Sequence, residues 1–251
     1  MPVSLIFFCG PHASGKTYLC EKLSRENSNV LFRTRSTLVS LREIEMCGID
    51  TPYLHSDRSI ETNPQDLYQM LVAQQKIAHD RLLFILSTIR YFLSEISNQF
   101  SSNERYFVVF DRSIDWIAYT LWITKMSNNA CIKDMLTQKF YSICRCLLLS
   151  DIVGRAFISG DDSMLCLTDH HRMVDSIVLA ATVGKSKYLQ YRSNLSTEYS
   201  NPQKYAELCL CFDAMIEQIS KEWSGHSGKR RLVTNVDTEF VTISDLYKWI
   251  Q

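Results

Sequence analysis

The run Gly10, Pro11, His12, Ala13, Ser14, Gly15, Lys16, Thr17 fits the pattern GxxxxGK[ST] without a mismatch, and it constrains this chain more than any other feature. The glycines let the backbone turn tightly, so that successive N–H groups converge on a phosphate oxygen. A helix that starts directly after such a turn presents its positive end to the same anion. A lysine at the position of Lys16 reaches the β- and γ-phosphates, and a hydroxyl at Thr17 ligates Mg²⁺. The flanks supply the context that the motif requires. Residues 3–9 form a continuous β-branched and aromatic run, the signature of a parallel strand covered on both faces. Residues 16–27 carry Tyr18, Leu19 and Leu23 at helical spacing. Gly10, His12, Ala13, Ser14, Gly15, Lys16 and Thr17 are therefore the expected phosphate-binding residues, with ATP and Mg²⁺ as the expected cofactors.

Downstream, strands and helical stretches alternate. Residues 30–32 predict a short strand, 66–98 a long helix without Gly or Pro, and 105–110 a strand that runs into Asp111, Arg112 and Ser113. Helices are expected at 114–124 and 132–149, a buried strand at 163–168, and helices at 171–183 and 203–223. A basic turn at 225–231, a last strand at 232–236 and a helix at 243–250 complete the order. Alternation of this kind predicts an α/β fold of three layers, a parallel sheet with helices on both faces. With 251 residues and no internal repeat, one domain spanning 1–251 is expected, with insertions at 184–203 and near 38–64.

In an open parallel sheet the ligand crevice lies beyond the carboxyl ends of the strands. Asp111 and Arg112 fall there, beside the phosphate loop. A carboxylate at that place can serve Mg²⁺ or accept the proton of an attacking hydroxyl, and an adjacent arginine can neutralise charge on a transferring phosphoryl group. Lys16, Asp111 and Arg112 are thus the candidate catalytic residues, and Thr17 and Asp111 the candidate metal ligands.

Taken together, the phosphate loop and the run Phe110, Asp111, Arg112, Ser113 resemble the thymidylate kinase and deoxyribonucleoside kinase group of P-loop kinases. The resemblance implies a P-loop NTPase fold and transfer of the γ-phosphoryl group of ATP to a nucleoside monophosphate or nucleoside. It implies further that Asp111 serves the metal or the acceptor hydroxyl, and that Arg112 contacts phosphate. A basic lid is implied at 184–203, where Lys185, Lys187 and Arg192 lie, with Arg192 at the nucleotide. Deoxyribonucleoside kinases place a Glu-Pro after the second strand; here Arg33, Thr34 and Arg35 stand instead, closer to the Thr-Arg of thymidylate kinases. Arg33 and Arg35 are therefore expected on an acceptor phosphate, with Gln75 and Arg81 of the long helix lining the acceptor pocket. The same helix, 66–98, is where such kinases form homodimers. The run Asp115, Trp116, Ile117, Ala118, Tyr119 also resembles bacterial and phage kinases of nicotinamide riboside or of modified bases in DNA, which keeps those acceptors as an alternative.

Lys+Arg and Asp+Glu both total 27, a balance unlike the basic excess of a dedicated duplex-DNA binder, so no nucleic-acid partner is expected. The 9 cysteines include no CxxC pair, and buried thiols in a reducing compartment are the expectation. The apolar start lacks a basic leader and a cleavage site, and the run at 82–93 is too short to span a bilayer; a cytoplasmic protein without a membrane partner is expected. A regulatory GTPase would need an Asn-Lys-x-Asp reader, whereas residues 234–237 lack the lysine. A mechanical ATPase would show Asp-Glu where Asp111 and Arg112 stand.

Overall fold

The computed structural model describes residues 3–34, 104–112, 115–126, 174–182, 201–223 and 230–251, together with helical positions at 73, 77, 80, 84, 91 and 134. In chain order the elements are β1 (Val3–Cys9), α1 (Lys16–Glu26), β2 (Val30–Thr34), β3 (Tyr106–Asp111), α2 (Asp115–Met126), β4 (Val174–Ala181), α3 (Pro202–Trp223), β5 (Arg230–Val233) and α4 (Ile243–Trp249). All neighbouring strands pair parallel, in the order β2-β3-β1-β4-β5.

Parallel neighbours need crossover connections, and these put helices on both faces of the sheet. Every residue of β1 is buried, as its uninterrupted apolar sequence predicts. On one face Ile6, Phe8, Phe107, Val109, Val178 and Ala180 pack with Leu19 and Leu23 of α1 and Leu246 of α4. On the other, the rings of Phe7 and Phe110 stack at 4.1 Å, and Cys209, Phe212 and Ile216 of α3 close over Cys9 and Ala181. α2 packs onto α3 through Tyr119 and Phe212, whose rings meet edge to face at 5.6 Å. This is the three-layer α/β arrangement that the alternating sequence predicts.

Helix ends follow local chemistry. Asn201 caps α3, its side chain accepting the Gln203 N–H at 2.9 Å, with Pro202 at the first helical position. At α4 the Asp245 carboxylate accepts the Thr242 N–H at 2.9 Å and the Thr242 hydroxyl at 2.8 Å.

The sequence expectations are corrected at three strands. The sequence predicts a helix over 171–183, but Val174–Ala181 is β4. An apolar run of this length has no periodicity that separates a buried strand from a buried helix. Pairing decides it: β4 lies between β1 and β5, hydrogen-bonded on both edges. The last strand is Arg230–Val233 and not 232–236, because its ladder runs from Ile177 opposite Arg230 to Ala180 opposite Val233. Arg230 and Arg231 therefore belong to an edge strand and not to a basic turn. β2 also extends past residue 32 to Thr34, which carries Arg33 into the sheet. Ala73, Ile77, Asp80, Phe84 and Tyr91 are helical, within the long helix expected at 66–98. The expected strand at 163–168 and the segments 38–64 and 184–200 lie outside the described residues.

The register brings the chemistry to one end of the sheet. Phe8 stands opposite Asp111 on β3 and opposite Ala180 on β4. Arg112 N–H donates to Phe8 O at 3.0 Å, and Thr182 N–H donates to Cys9 O at 2.8 Å. The loops after β1, β3 and β4 thus leave the sheet side by side, at the point where the strand order reverses.

Candidate functional site

Three left-handed positions shape the loop between β1 and α1: Gly10 at φ 151°, Ala13 at 61° and Gly15 at 83°. Gly10 has no room for a side chain, since a Cβ there would run into the hydroxyl and carbonyl of Thr182. The turn therefore needs glycine for both its conformation and its close approach to the next strand end. Successive turns of this kind curve the backbone into an anion cradle, with the N-terminus of α1 behind it.

The cradle is fastened from several directions. Asp115 Oδ1 accepts the Gly10 N–H at 3.1 Å. Tyr205 of α3 donates its hydroxyl to His12 O at 2.8 Å, and Thr238 donates to Ser14 O at 3.1 Å. Thr182 Oγ1 donates to Cys9 O at 2.8 Å and lies 3.0 Å from Ser14 Oγ.

Lys16 is buried at the centre. Its Nζ donates to Gly10 O at 2.6 Å, Pro11 O at 2.8 Å and Ser14 Oγ at 3.0 Å, which uses every proton of the ammonium. Burial pulls its pKa below the ordinary lysine value, and the nearby Asp115 carboxylate pulls it back up. A phosphate at this place would offer the ammonium charged oxygens in exchange for carbonyl partners, a stronger hydrogen-bonding set.

Thr17 and Asp111 meet directly. The Thr17 hydroxyl donates to Asp111 Oδ2 at 2.6 Å, and Asp111 Oδ1 is buried without a hydrogen-bond partner among the described residues. A hydroxyl and a carboxylate with an unsatisfied oxygen form a hard-oxygen donor set that suits Mg²⁺, which takes few protein ligands and completes its shell with water and phosphate.

Arg112 follows Asp111 in a left-handed conformation, φ 70°, a costly backbone state for a non-glycine residue and one that clusters at functional sites. Its Nη2 lies 3.4 Å from His12 Nδ1. Arginine only donates, so Nδ1 is the acceptor and the His12 proton sits on Nε2. Burial first, then the Arg112 and Lys16 charges, lowers the His12 pKa to about 3. The imidazole is neutral at any physiological pH. Asp115 is the opposite case: burial pushes its carboxyl up to about 6, against the pull of Lys16 and Arg112.

Ala13, Ser14, Gly15, Lys16, Thr17, Tyr18, Arg112 and Glu239 line one open cleft of about 700 Å³. The phosphate loop, Asp111 and Arg112 are thus brought together as the sequence predicts. Arg33 stands in β2 opposite Val109, a step before the strand ends. Arg35, Gln75, Arg81 and Arg192 lie outside the described residues, as do Lys185 and Lys187. Sequence reasoning missed Asp115, Thr182, Tyr205, Thr238 and Glu239 as parts of this site. Asp115 left a trace, an acid opening an otherwise apolar helix; Thr182, Tyr205 and Thr238 bond the loop from elements distant in sequence, Glu239 lines the cleft, and none of them leaves one.

Cys9, Cys20, Cys209 and Cys211 are buried cysteines. Among the described residues there is no cluster of His, Cys, Asp and Glu that could hold a metal ion by itself, and no helix long and apolar enough to cross a membrane.

Comparison with protein-family models gives no match, and comparison with curated proteins gives none. Among solved structures the chain is similar to a thymidylate kinase from Candida albicans, with 14% identity, a TM-score of 0.41, and coverage of 97% of this chain and 89% of that one. It is similar to a deoxyadenosine kinase from M. mycoides, solved with the products dCMP and a flexible dCDP bound, with 10% identity, a TM-score of 0.36, and coverage of 97% and 95%. A thymidylate kinase from Ehrlichia chaffeensis aligns at 14% identity with a TM-score of 0.37, over 100% of both chains. The chain is an α/β protein with a glycine-containing loop between its first strand and first helix.

Proposed function

We propose that this protein is a P-loop kinase that transfers the γ-phosphoryl group of ATP to a nucleoside monophosphate or a nucleoside. One observation carries the reading: Lys16, Thr17 and Arg112 line one open cleft at the carboxyl ends of β1 and β3, and buried Asp111 accepts the Thr17 hydroxyl behind it. In transfer the γ-phosphorus gains a bond to the acceptor oxygen, loses its bond to the β-phosphate oxygen, and ADP departs. Most of the work is positioning and charge stabilisation, and this cleft is equipped for both. Lys16 would leave the Gly10 and Pro11 carbonyls for the β- and γ-phosphates. Arg112, held on one side by His12, would neutralise charge on the group in flight. Thr17 and Asp111 would hold Mg²⁺, which neutralises phosphate charge when bound. Asp-Arg at the end of β3 favours an acceptor hydroxyl over water, since no glutamate follows Asp111 to polarise one.

For the acceptor, the sequence offers Arg33 in β2 and, among residues outside those described, Arg35, Gln75 and Arg81, with Arg192 as a further phosphate contact. Arginines at 33 and 35 fit an acceptor that already carries a phosphate, because a guanidinium fork matches phosphate oxygens bidentately.

The test is a panel of nucleosides and their 5′-monophosphates incubated with MgATP, read as ADP formed and as phosphorylated product by mass. ADP formation should depend on one class of acceptor. Release of ADP at the same rate with no acceptor present would mark a plain nucleotide hydrolase and sink the proposal.

A further inference from the structure

Asp115 is a buried carboxylate, 1% exposed, at the first position of α2. Its only hydrogen bond among the described residues is long-range: Oδ1 accepts the Gly10 N–H at 3.1 Å, across 105 positions of sequence. Oδ2 is buried without a partner among them. Burying a charge costs several kcal/mol unless something in the fold offsets it. Position accounts for part of the offset, since the first turn of a helix favours an anion. The Lys16 and Arg112 charges account for more.

The Gly10 peptide is gripped on both sides. Its N–H is held by Asp115, and its C=O by the Lys16 ammonium at 2.6 Å. The second grip is temporary, because the lysine that makes it is the one that moves to phosphate. The first does not depend on the ligand. Gly10 is also where the loop has least freedom to rearrange, wedged against Thr182 in a left-handed conformation.

We propose that Asp115 is a positioning residue for the phosphate loop: it holds the Gly10 peptide by its N–H, so that the loop keeps its anion-binding curve when Lys16 leaves the Gly10 and Pro11 carbonyls. This rests on the nucleotide-binding reading of the loop. It assigns Asp115 no contact with substrate; the residue acts through Gly10. The requirement is an acceptor atom in the right place, and an amide oxygen meets it as well as a carboxylate oxygen does.

ATP affinity, measured by calorimetry on the whole chain with Mg²⁺, tests this. Asp115→Ala should weaken ATP binding at least tenfold, and Asp115→Asn should bring it back to within about threefold of wild type. An Ala variant that binds as wild type does would overturn the inference and leave the kinase reading standing. An Asn variant as poor as Ala would also overturn it, since the carboxylate would then act by charge. Wild-type protein that binds no ATP would defeat the underlying reading and this inference with it. Hydrogen exchange of the Gly10 amide in wild type needs no variant to fold. Protection should persist in the ATP complex, and its loss on ATP binding would overturn the proposal.

Discussion

His12 sits inside the phosphate loop with its ring against Arg112, and this gives the protein a pH signature. The folded state holds the imidazole neutral down to about pH 3, whereas the unfolded chain protonates it near 6.5. Below that value the unfolded state binds more protons, so this group's contribution to stability falls as pH falls. Replacing His12 by Gln removes the penalty. Between about pH 7 and about pH 4.5, His12→Gln should gain roughly 2–3 kcal/mol relative to wild type, measured by urea unfolding at each pH. A difference that stays constant with pH would show that His12 is not held neutral. Lys16 invites a kinetic test. Its ammonium is at the centre of the cradle, and Lys16→Ala should lower phosphoryl transfer by about a hundredfold or more while far-UV circular dichroism stays unchanged. Transfer within about tenfold of wild type would remove Lys16 from the mechanism. Both residues are legible in sequence as members of the motif. Their states are not, because a pKa near 3 depends on burial and on an arginine 100 positions away.

At the scale of elements, β3 carries most of the connection between core and site. Phe110 is fully buried and stacks on Phe7, and the next residue is Asp111. Phe110→Ala should cost about 3–5 kcal/mol of unfolding free energy, read from urea midpoints at constant m-value. A loss below about 1 kcal/mol would mean that the sheet relaxes to fill the space. The capping pair of α4 is a smaller lever: Thr242→Ala should cost about 1 kcal/mol by the same measurement. β1 and β3 are legible because apolar runs that end in Gly10 or in Asp111 and Arg112 admit one interpretation. β4 is not. Its run of Ile177, Val178, Leu179, Ala180 and Ala181 suits a buried helix as well as a buried strand, and pairing with β1 and β5 decides it.

For the molecule as a whole, nucleotide binding should stabilise the fold, since the cradle is assembled from β1, α1, α2, α3 and the residues that follow β4 and β5. Saturating MgATP at about 100 times its dissociation constant should add roughly 2.7 kcal/mol to unfolding and raise Tm accordingly. The shift should shrink in EDTA and in Asp111→Asn, because both remove the metal from the Thr17–Asp111 pair. An identical shift in all three conditions would take that pair out of nucleotide binding.

The sequence by itself determined the class of fold, the glycine-containing loop between the first strand and first helix, and the Asp111–Arg112 step at the end of β3. Each is local: a strand, a glycine turn and a helix start all lie within Val3–Glu26, and a strand running into two charged residues needs no distant partner to be read. Tertiary structure alone decided what holds that loop. Asp115, Thr182, Tyr205 and Thr238 reach it from α2, from the ends of β4 and β5, and from α3, at separations of 105, 168, 193 and 224 residues. Hydrogen bonds over such distances have no spacing to betray them. They exist because a parallel sheet in the order β2-β3-β1-β4-β5 puts the carboxyl ends of non-consecutive strands side by side, and that order is set by packing and pairing across the whole chain.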